Sequence, residues 1–93
     1  MSLKFEWNDK KAESNLKKHS ISFDEAKSVF YDDLARVKND PDHSIIDSRY
    51  IIQGLSNSNK LLVISFTERG DRIRIINARK ATKYERKQYE EFI

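Results

Sequence analysis

The chain has 93 residues, 38% of them hydrophobic and 35% charged, with a formal net charge of +3. This length predicts a single domain over residues 1–93 with a modest core. The absence of cysteine excludes a disulfide framework, a thiol nucleophile and a zinc–thiolate site, and no apolar run approaches the roughly 20 residues that span a bilayer. Clustered, periodic apolar residues exclude a disordered chain, and a cytoplasmic location is the simplest expectation.

The charge is unevenly spread. Five lysines (Lys4, Lys10, Lys11, Lys17, Lys18) face three acids before Ser20, and a second basic group (Lys60, Arg69, Arg72, Arg74, Arg79, Lys80, Lys83, Arg86, Lys87) fills the C-terminal third. The middle, from Asp24 to Tyr50, is acidic. If the two ends meet in the fold, they make a cationic patch on a nearly neutral protein.

Lys4-Phe5-Glu6-Trp7 predicts a short first strand. Asn8 is suited to cap a helix running to about Lys18, with Ala12, Leu16 and His19 on its inner face. Ser20-Ile21 ends that helix. Ser22-Phe23-Asp24-Glu25 is a capping box for a second helix, with Ile21 and Ala26 as its staple and Val29 and Phe30 on its buried face. A charged edge strand over 34–38 follows, then a turn at Asp40-Pro41-Asp42. Strands over 49–55 and 60–67 are separated by the loop Ser56-Asn57-Ser58-Asn59, and the second of them is the most apolar and therefore central. Arg69-Gly70-Asp71 turns the chain into a hairpin with a last strand over 72–78. Thr82-Lys83-Tyr84-Glu85 is a second capping box opening a C-terminal helix whose inner face carries Tyr89, Phe92 and Ile93. The order β-α-α-β-β-β-β-α, with short turns between strands, predicts an α+β fold: a mostly antiparallel sheet with helices packed on one face.

Alternation along the last strand sends Arg72 and Arg74 to one face and Ile73 and Ile75 to the other. Alone, two such arginines describe an ordinary solvated face. Arg79 adds to them, because it precedes the Thr82 cap, where free backbone donors favour an anion, and Lys80 and Lys83 stand beside it. Guanidinium forks match phosphate oxygens, so phosphodiester RNA is the first candidate ligand. His19 is the obvious proton-transfer group, because an imidazole is the side chain most often used for that task, although a histidine at a helix C-terminus more often complements the dipole. Glu68 at the hairpin tip serves as a base or pairs with Arg69 or Arg72. Trp7 and Phe5 suit base stacking, but Trp7 reads first as core at the first helix junction, and Tyr84 and Tyr89 read first as packing residues. The spacing of Asp40, Asp42, His43 and Asp47 matches no metal-ligand pattern, and no metal or cofactor is expected.

Across nearly the whole chain these residues resemble a known family. Phe5-Glu6-Trp7, Lys11, Asn15, Lys18-His19, Phe23, Glu25-Ala26 and Phe30 look like the N-terminal half of BrnT-type toxins. Arg49, Gly54, Leu62-Val63, Thr67-Glu68-Arg69-Gly70, Arg72 to Ile76, Ala78 to Thr82, Glu85-Arg86 and Tyr89 look like the C-terminal half. Asn8, Ser20 and Asn77 depart from the pattern, standing where aspartate, glycine and serine are usual, and Ser20 is expected to strain its turn. The resemblance implies a type II toxin with a RelE-like fold, ribonuclease activity that arrests translation, and a BrnA-type antitoxin that binds DNA on the complex's behalf. Metal-independent cleavage through the ribose 2′-hydroxyl would use His19 and Glu68 for proton transfer and Arg72 and Arg79 against the developing charge. Lys18, Arg69, Arg74, Lys80 and Lys83 would hold substrate. The competing expectation is a binding module that grips nucleic acid or a partner through the same basic face without cutting.

Overall fold

The structure is a computed structural model and describes residues 3–40 and 48–91. Asp42, His43 and Asp47 of the acidic turn, and Phe92 and Ile93, lie outside the described residues. The elements follow the expected order: β1 (Lys4–Glu6), α1 (Asp9–His19), α2 (Phe23–Ser28) running into a 3₁₀ turn (Val29–Tyr31), β2 (Arg36–Asn39), β3 (Arg49–Leu55), β4 (Leu61–Arg69), β5 (Arg72–Lys80) and α3 (Lys83–Glu91). They build one five-stranded sheet in the order β1-β5-β4-β3-β2. The apolar strand β4 is central, the charged strand β2 is an edge, and only the β1–β5 pair is parallel. No helix among the described residues is long and apolar enough to cross a membrane.

Alternation sorts each strand between two faces. Tyr50 and Ile52 of β3, Leu62, Ile64 and Phe66 of β4, and Ile73, Ile75 and Ala78 of β5 meet Ile21, Phe23, Ala26 and Val29 in one core. Burying side chains of this size contributes roughly 1.5–3 kcal/mol each. Trp7 meets Phe23 edge to face at 5.8 Å, and Phe5 meets Phe30 the same way at 5.2 Å, so both aromatics are core components and not base-stacking platforms. Tyr89 is buried as expected, but Tyr84 is 71% exposed because it points off the far side of α3.

The last strand does not alternate strictly. Phe66 lies opposite Ile75 and Ser65 opposite Asn77, so Ile76 is an extra residue, a β-bulge. The bulge shifts the parity of everything after it. Ala78 joins Ile73 and Ile75 on the core face, while Arg79 lands on the outer face with Arg72 and Arg74. β5 also runs two residues further than the sequence implies, so Arg79 lies within the strand and not after it.

Beside the bulge stands Asn15, the buried residue of α1. The periodic reading placed Leu16 inward, yet Leu16 is 50% exposed and Asn15 only 5% exposed. The inward face is Ala12, Asn15 and His19, and Asn15 enters the core because its amide finds backbone partners there. Its Nδ2 donates to the carbonyls of Ala78 (2.8 Å) and Ile21 (3.0 Å), and its Oδ1 accepts from the Ala78 N–H at 3.1 Å. β1 pairs with β5 only at Arg72–Arg74, so beyond it the asparagine amide takes the place of a neighbouring strand.

The caps form largely as the sequence indicates. Asn8 Oδ1 accepts from the Lys11 N–H at 3.1 Å. Ser22 Oγ accepts from the Glu25 N–H at 3.0 Å, but the Glu25 carboxylate turns to Ser56 Oγ (2.7 Å) instead of closing the box. Ser20 ends α1 at φ 59°, ψ 28°, in the left-handed region that favours glycine.

A second fastening joins the far end of the sheet. Asp32 Oδ2 accepts from the Leu55 N–H (2.7 Å) and from the Tyr89 hydroxyl (2.9 Å), and its Oδ1 accepts from the Leu34 N–H (3.0 Å). Burial opposes the charge on Asp32, but these three donors outweigh it and hold the carboxyl below its ordinary value. The Tyr89 hydroxyl is pushed up to about 12 by burial and by Asp32. Gly54 is required here, since a Cβ would sit 2.9 Å from both Asp32 Oδ2 and Ala35 Cβ.

Two substitutions check this account. Asn15→Ala strands buried backbone groups at a cost of about 1–3 kcal/mol each, so urea unfolding should show a loss of about 3 kcal/mol or more. A loss below about 1 kcal/mol would mean that the amide does not hold α1 to β5. Ser20→Gly removes the left-handed penalty and should raise stability by about 1 kcal/mol, read as a higher melting temperature.

Candidate nucleic-acid interface

The outer face of the sheet carries the charge. The registers align Glu6, Arg74, Thr67 and Arg49 in one row across β1, β5, β4 and β3. Where this face meets α1, two hollows adjoin. One, of about 290 Å³, is lined by Lys11, Arg49, Thr67, Glu68, Arg69, Arg74 and Ile76. The other, of about 140 Å³, is lined by Lys11, Ser14, Asn15, Lys18, His19, Ile76 and Asn77. They share Lys11 and the bulge residue Ile76, so together they form one groove between α1 and β5. The basic N-terminal and C-terminal segments thus meet, as their charge distribution required of a cationic patch.

The structure divides the expected site residues. His19, Lys18, Glu68, Arg69 and Arg74 line the groove. Arg72, Arg79, Lys80 and Lys83 do not. The bulge explains part of this, since Ile76 and Asn77 separate Arg74 from Arg79 along the outer face.

Arg79 is occupied elsewhere. Its Nη1 and Nη2 donate to Glu85 Oε1 (2.7 Å) and Oε2 (2.9 Å), a bidentate fork. Glu85 Oε1 also accepts from the Thr82 N–H (2.8 Å), while Thr82 Oγ1 accepts from the Glu85 N–H (3.2 Å). The anion expected at this helix N-terminus is therefore supplied from within the chain. The hydrogen bond from Arg79 is the main cause that brings Glu85 down to about 2, and the same bond raises Arg79. Gln53 Nε2 donates to the Glu85 carbonyl at 2.8 Å, so α3 is fastened through outer-face residues of β3 and β5, unlike α1 and α2.

Arg74 is placed differently. Its Nη1 donates to Glu6 Oε2 at 2.9 Å, and its other guanidinium nitrogens have no partner among the described residues. Arg69 Nη1 reaches the same oxygen at 3.7 Å. Glu68 forms no ion pair among the described residues, so the pairing with Arg69 or Arg72 is replaced by the pairing of Arg69 with Glu6. Lys11, Arg49 and Asn77 were not singled out as site residues from the sequence. Arg49 joins the site only through the β3–β4 register, which no local pattern encodes, whereas Lys11 precedes Lys18 by seven residues on one helix face, a legible signal.

A five-stranded mixed sheet with a cationic groove against its first helix defines a small α+β protein whose positive charge is gathered between α1 and β5. The comparisons with known proteins narrow that class. Residues 7–85 match the family described as the BrnT ribonuclease toxin of type II toxin–antitoxin systems. The chain belongs to that family of toxins. The solved structure of the Brucella abortus ribonuclease toxin BrnT shares the fold, with a TM-score of 0.69 and 21% identity over 88% of this chain and 100% of that one. None of the curated proteins matches the chain.

The Arg79–Glu85 fork has a pH signature. Glu85 binds its proton less readily folded than unfolded, so the stability it contributes is present above its unfolded value of 4.5 and is lost as pH falls towards about 2. Glu85→Gln should cost roughly 1–2 kcal/mol at pH 7, and the deficit should shrink between pH 5 and pH 2 in parallel acid titrations. A deficit independent of pH would contradict the pairing.

Proposed function

We propose that the chain is an endoribonuclease that arrests translation in the cytoplasm and is neutralised by a BrnA-type antitoxin, through which alone it associates with DNA. The observation that carries this reading is the groove: five cations from three strands and a helix converge beside His19 and Glu68. Cleavage proceeds by attack of a ribose 2′-hydroxyl on the adjacent phosphorus. A base takes the hydroxyl proton, the bond from phosphorus to the 5′-oxygen breaks, and an acid protonates the departing oxygen. His19 and Glu68 flank the groove as the two proton-transfer groups. Arg74, whose remaining donors are uncommitted, faces the charge that develops on phosphorus, with Arg69, Lys11 and Lys18 holding the phosphates on either side.

In this reading Arg79 and Arg72 lose the part that the sequence suggested for them, and Arg74 takes it. Arg79 supports the fold by anchoring α3, and its substitution acts through stability.

The purified chain should cleave single-stranded RNA in the presence of EDTA. Arg74→Ala should lower the rate by about 10²–10³-fold and His19→Ala by about 10²-fold or more. Arg79→Ala, compared below its melting temperature, should cut nearly as well as the parent. An RNA-binding protein that never cuts would overturn the enzymatic reading in favour of a binding module. Loss of cleavage in folded Arg79→Ala with Arg74→Ala unaffected would move the site to the other end of β5.

A further inference from the structure

Glu6 pairs with two of the groove's arginines, Arg74 and Arg69, and nothing so far gives it a task. It lies on β1, directly opposite Arg74 in the parallel register. Its Oε2 accepts from Arg74 Nη1 at 2.9 Å and lies 3.7 Å from Arg69 Nη1. It therefore touches both arms of the β4–β5 hairpin, one arginine from each. Its side chain is 26% exposed, against 32% for Arg74 and 61% for Arg69, so it is the most sheltered of the three. Glu6 does not itself line either hollow, whereas both arginines do.

An acid in a site for an anion has two opposite effects. It repels incoming phosphate, which weakens binding. It also restrains a long, flexible side chain: with Nη1 held by Glu6, the guanidinium of Arg74 has fewer orientations open to it, and Nη2 and Nε keep their donors for another acceptor. A group that must meet charge appearing only in the transition state gains from such fixing, because no reorganisation is then required during the reaction. Arg79 makes the contrast. Its partner Glu85 takes both Nη atoms, which leaves a structural clamp, whereas Glu6 takes one and leaves the fork half open.

We infer that Glu6 is a positioning residue for RNA cleavage, acting through Arg74 and secondarily through Arg69, and that it trades RNA affinity for a correctly oriented guanidinium. The inference rests on the ribonuclease reading above. It predicts a split that neither a structural role nor simple charge repulsion produces.

The test is steady-state cleavage of one oligoribonucleotide by the full chain and by Glu6→Gln, Glu6→Asp, Arg74→Ala and the double variant Glu6→Gln/Arg74→Ala, each checked by thermal melting. Glu6→Gln should lower kcat about tenfold or more while KM for RNA stays level or falls, because a repulsive charge has gone. Glu6→Asp should recover part of kcat. In the Arg74→Ala background the further substitution of Glu6 should change kcat less than twofold, as expected for two residues acting as one unit. A Glu6→Gln kcat within twofold of the parent, a loss confined to KM, or full additivity in the double variant would each overturn the inference while leaving the ribonuclease reading intact. If Glu6→Gln melts below the assay temperature, the comparison passes to Glu6→Asp, for which an unchanged kcat and an additive double variant with Arg74→Ala count against the inference equally. A parent chain that binds RNA without cutting it overturns both.

Discussion

The fold and its groove depend on one clamp, the side-chain amide of Asn15 closing on the backbone of Ala78. Two hydrogen bonds in a buried setting fix α1 against β5, where β1 is too short to continue the sheet, and a third, to the Ile21 carbonyl, holds the turn after α1. The same contact stabilises the strand just past its bulge, since the freed N–H and C=O of Ala78 would otherwise be buried without partners. The bulge in turn decides which side chains share a face. It sends Ala78 into the core, lifts Ile76 and Asn77 into the floor of the groove, and keeps Arg79 with the outward arginines. A polar residue at a core position thus sets the register of helix against sheet, and through it the place where the two basic ends of the chain converge.

Two arginines on the same strand illustrate how pairing separates like residues. Arg79 and Arg74 are both half-buried and both next to a glutamate. Glu85 engages Arg79 at both ends of its fork and is itself engaged by the Thr82 N–H, so the cluster is closed and contributes to holding α3. Glu6 engages Arg74 once, and the remaining donors face a groove large enough for an anion. Like residues on one strand face are separated into a rivet and a candidate site by the number of acceptors each one meets.

Much of this was legible in the residues. The element order, the central apolar strand, the charged edge strand and the two capping serine and threonine residues all follow from local patterns, and local patterns are what backbone hydrogen bonding and side-chain period dictate, whereas the strain at Ser20 follows from the family resemblance. The site was half legible. Lys18, His19, Glu68, Arg69 and Arg74 line the groove, but Arg79 seemed the leading arginine because charge next to a helix start suggests a free anion site, and nothing local reveals that Glu85 fills it across a strand end. The bulge is only hinted at: the adjacent Ile75 and Ile76 break the alternation of the strand, but hydropathy does not say which residue is the extra one. Leu16 looked inward for a similar reason: hydropathy favours leucine over asparagine until the backbone groups that asparagine satisfies are known. Arg49 enters only through pairing between strands, a nonlocal fact.

The central claim, that RNA lies in the groove between α1 and β5, is open to a direct mapping. Backbone amide spectra of the full chain are recorded during titration with an oligoribonucleotide carrying a 2′-O-methyl group at every position, so that it binds without being cut. The account predicts that shifts concentrate at Lys11, Ser14, Lys18, His19, Thr67, Arg74 and Ile76, and that they fade with added salt. Shifts confined to the stretch from Arg79 to Lys83 and to α3, with the groove silent, would contradict it.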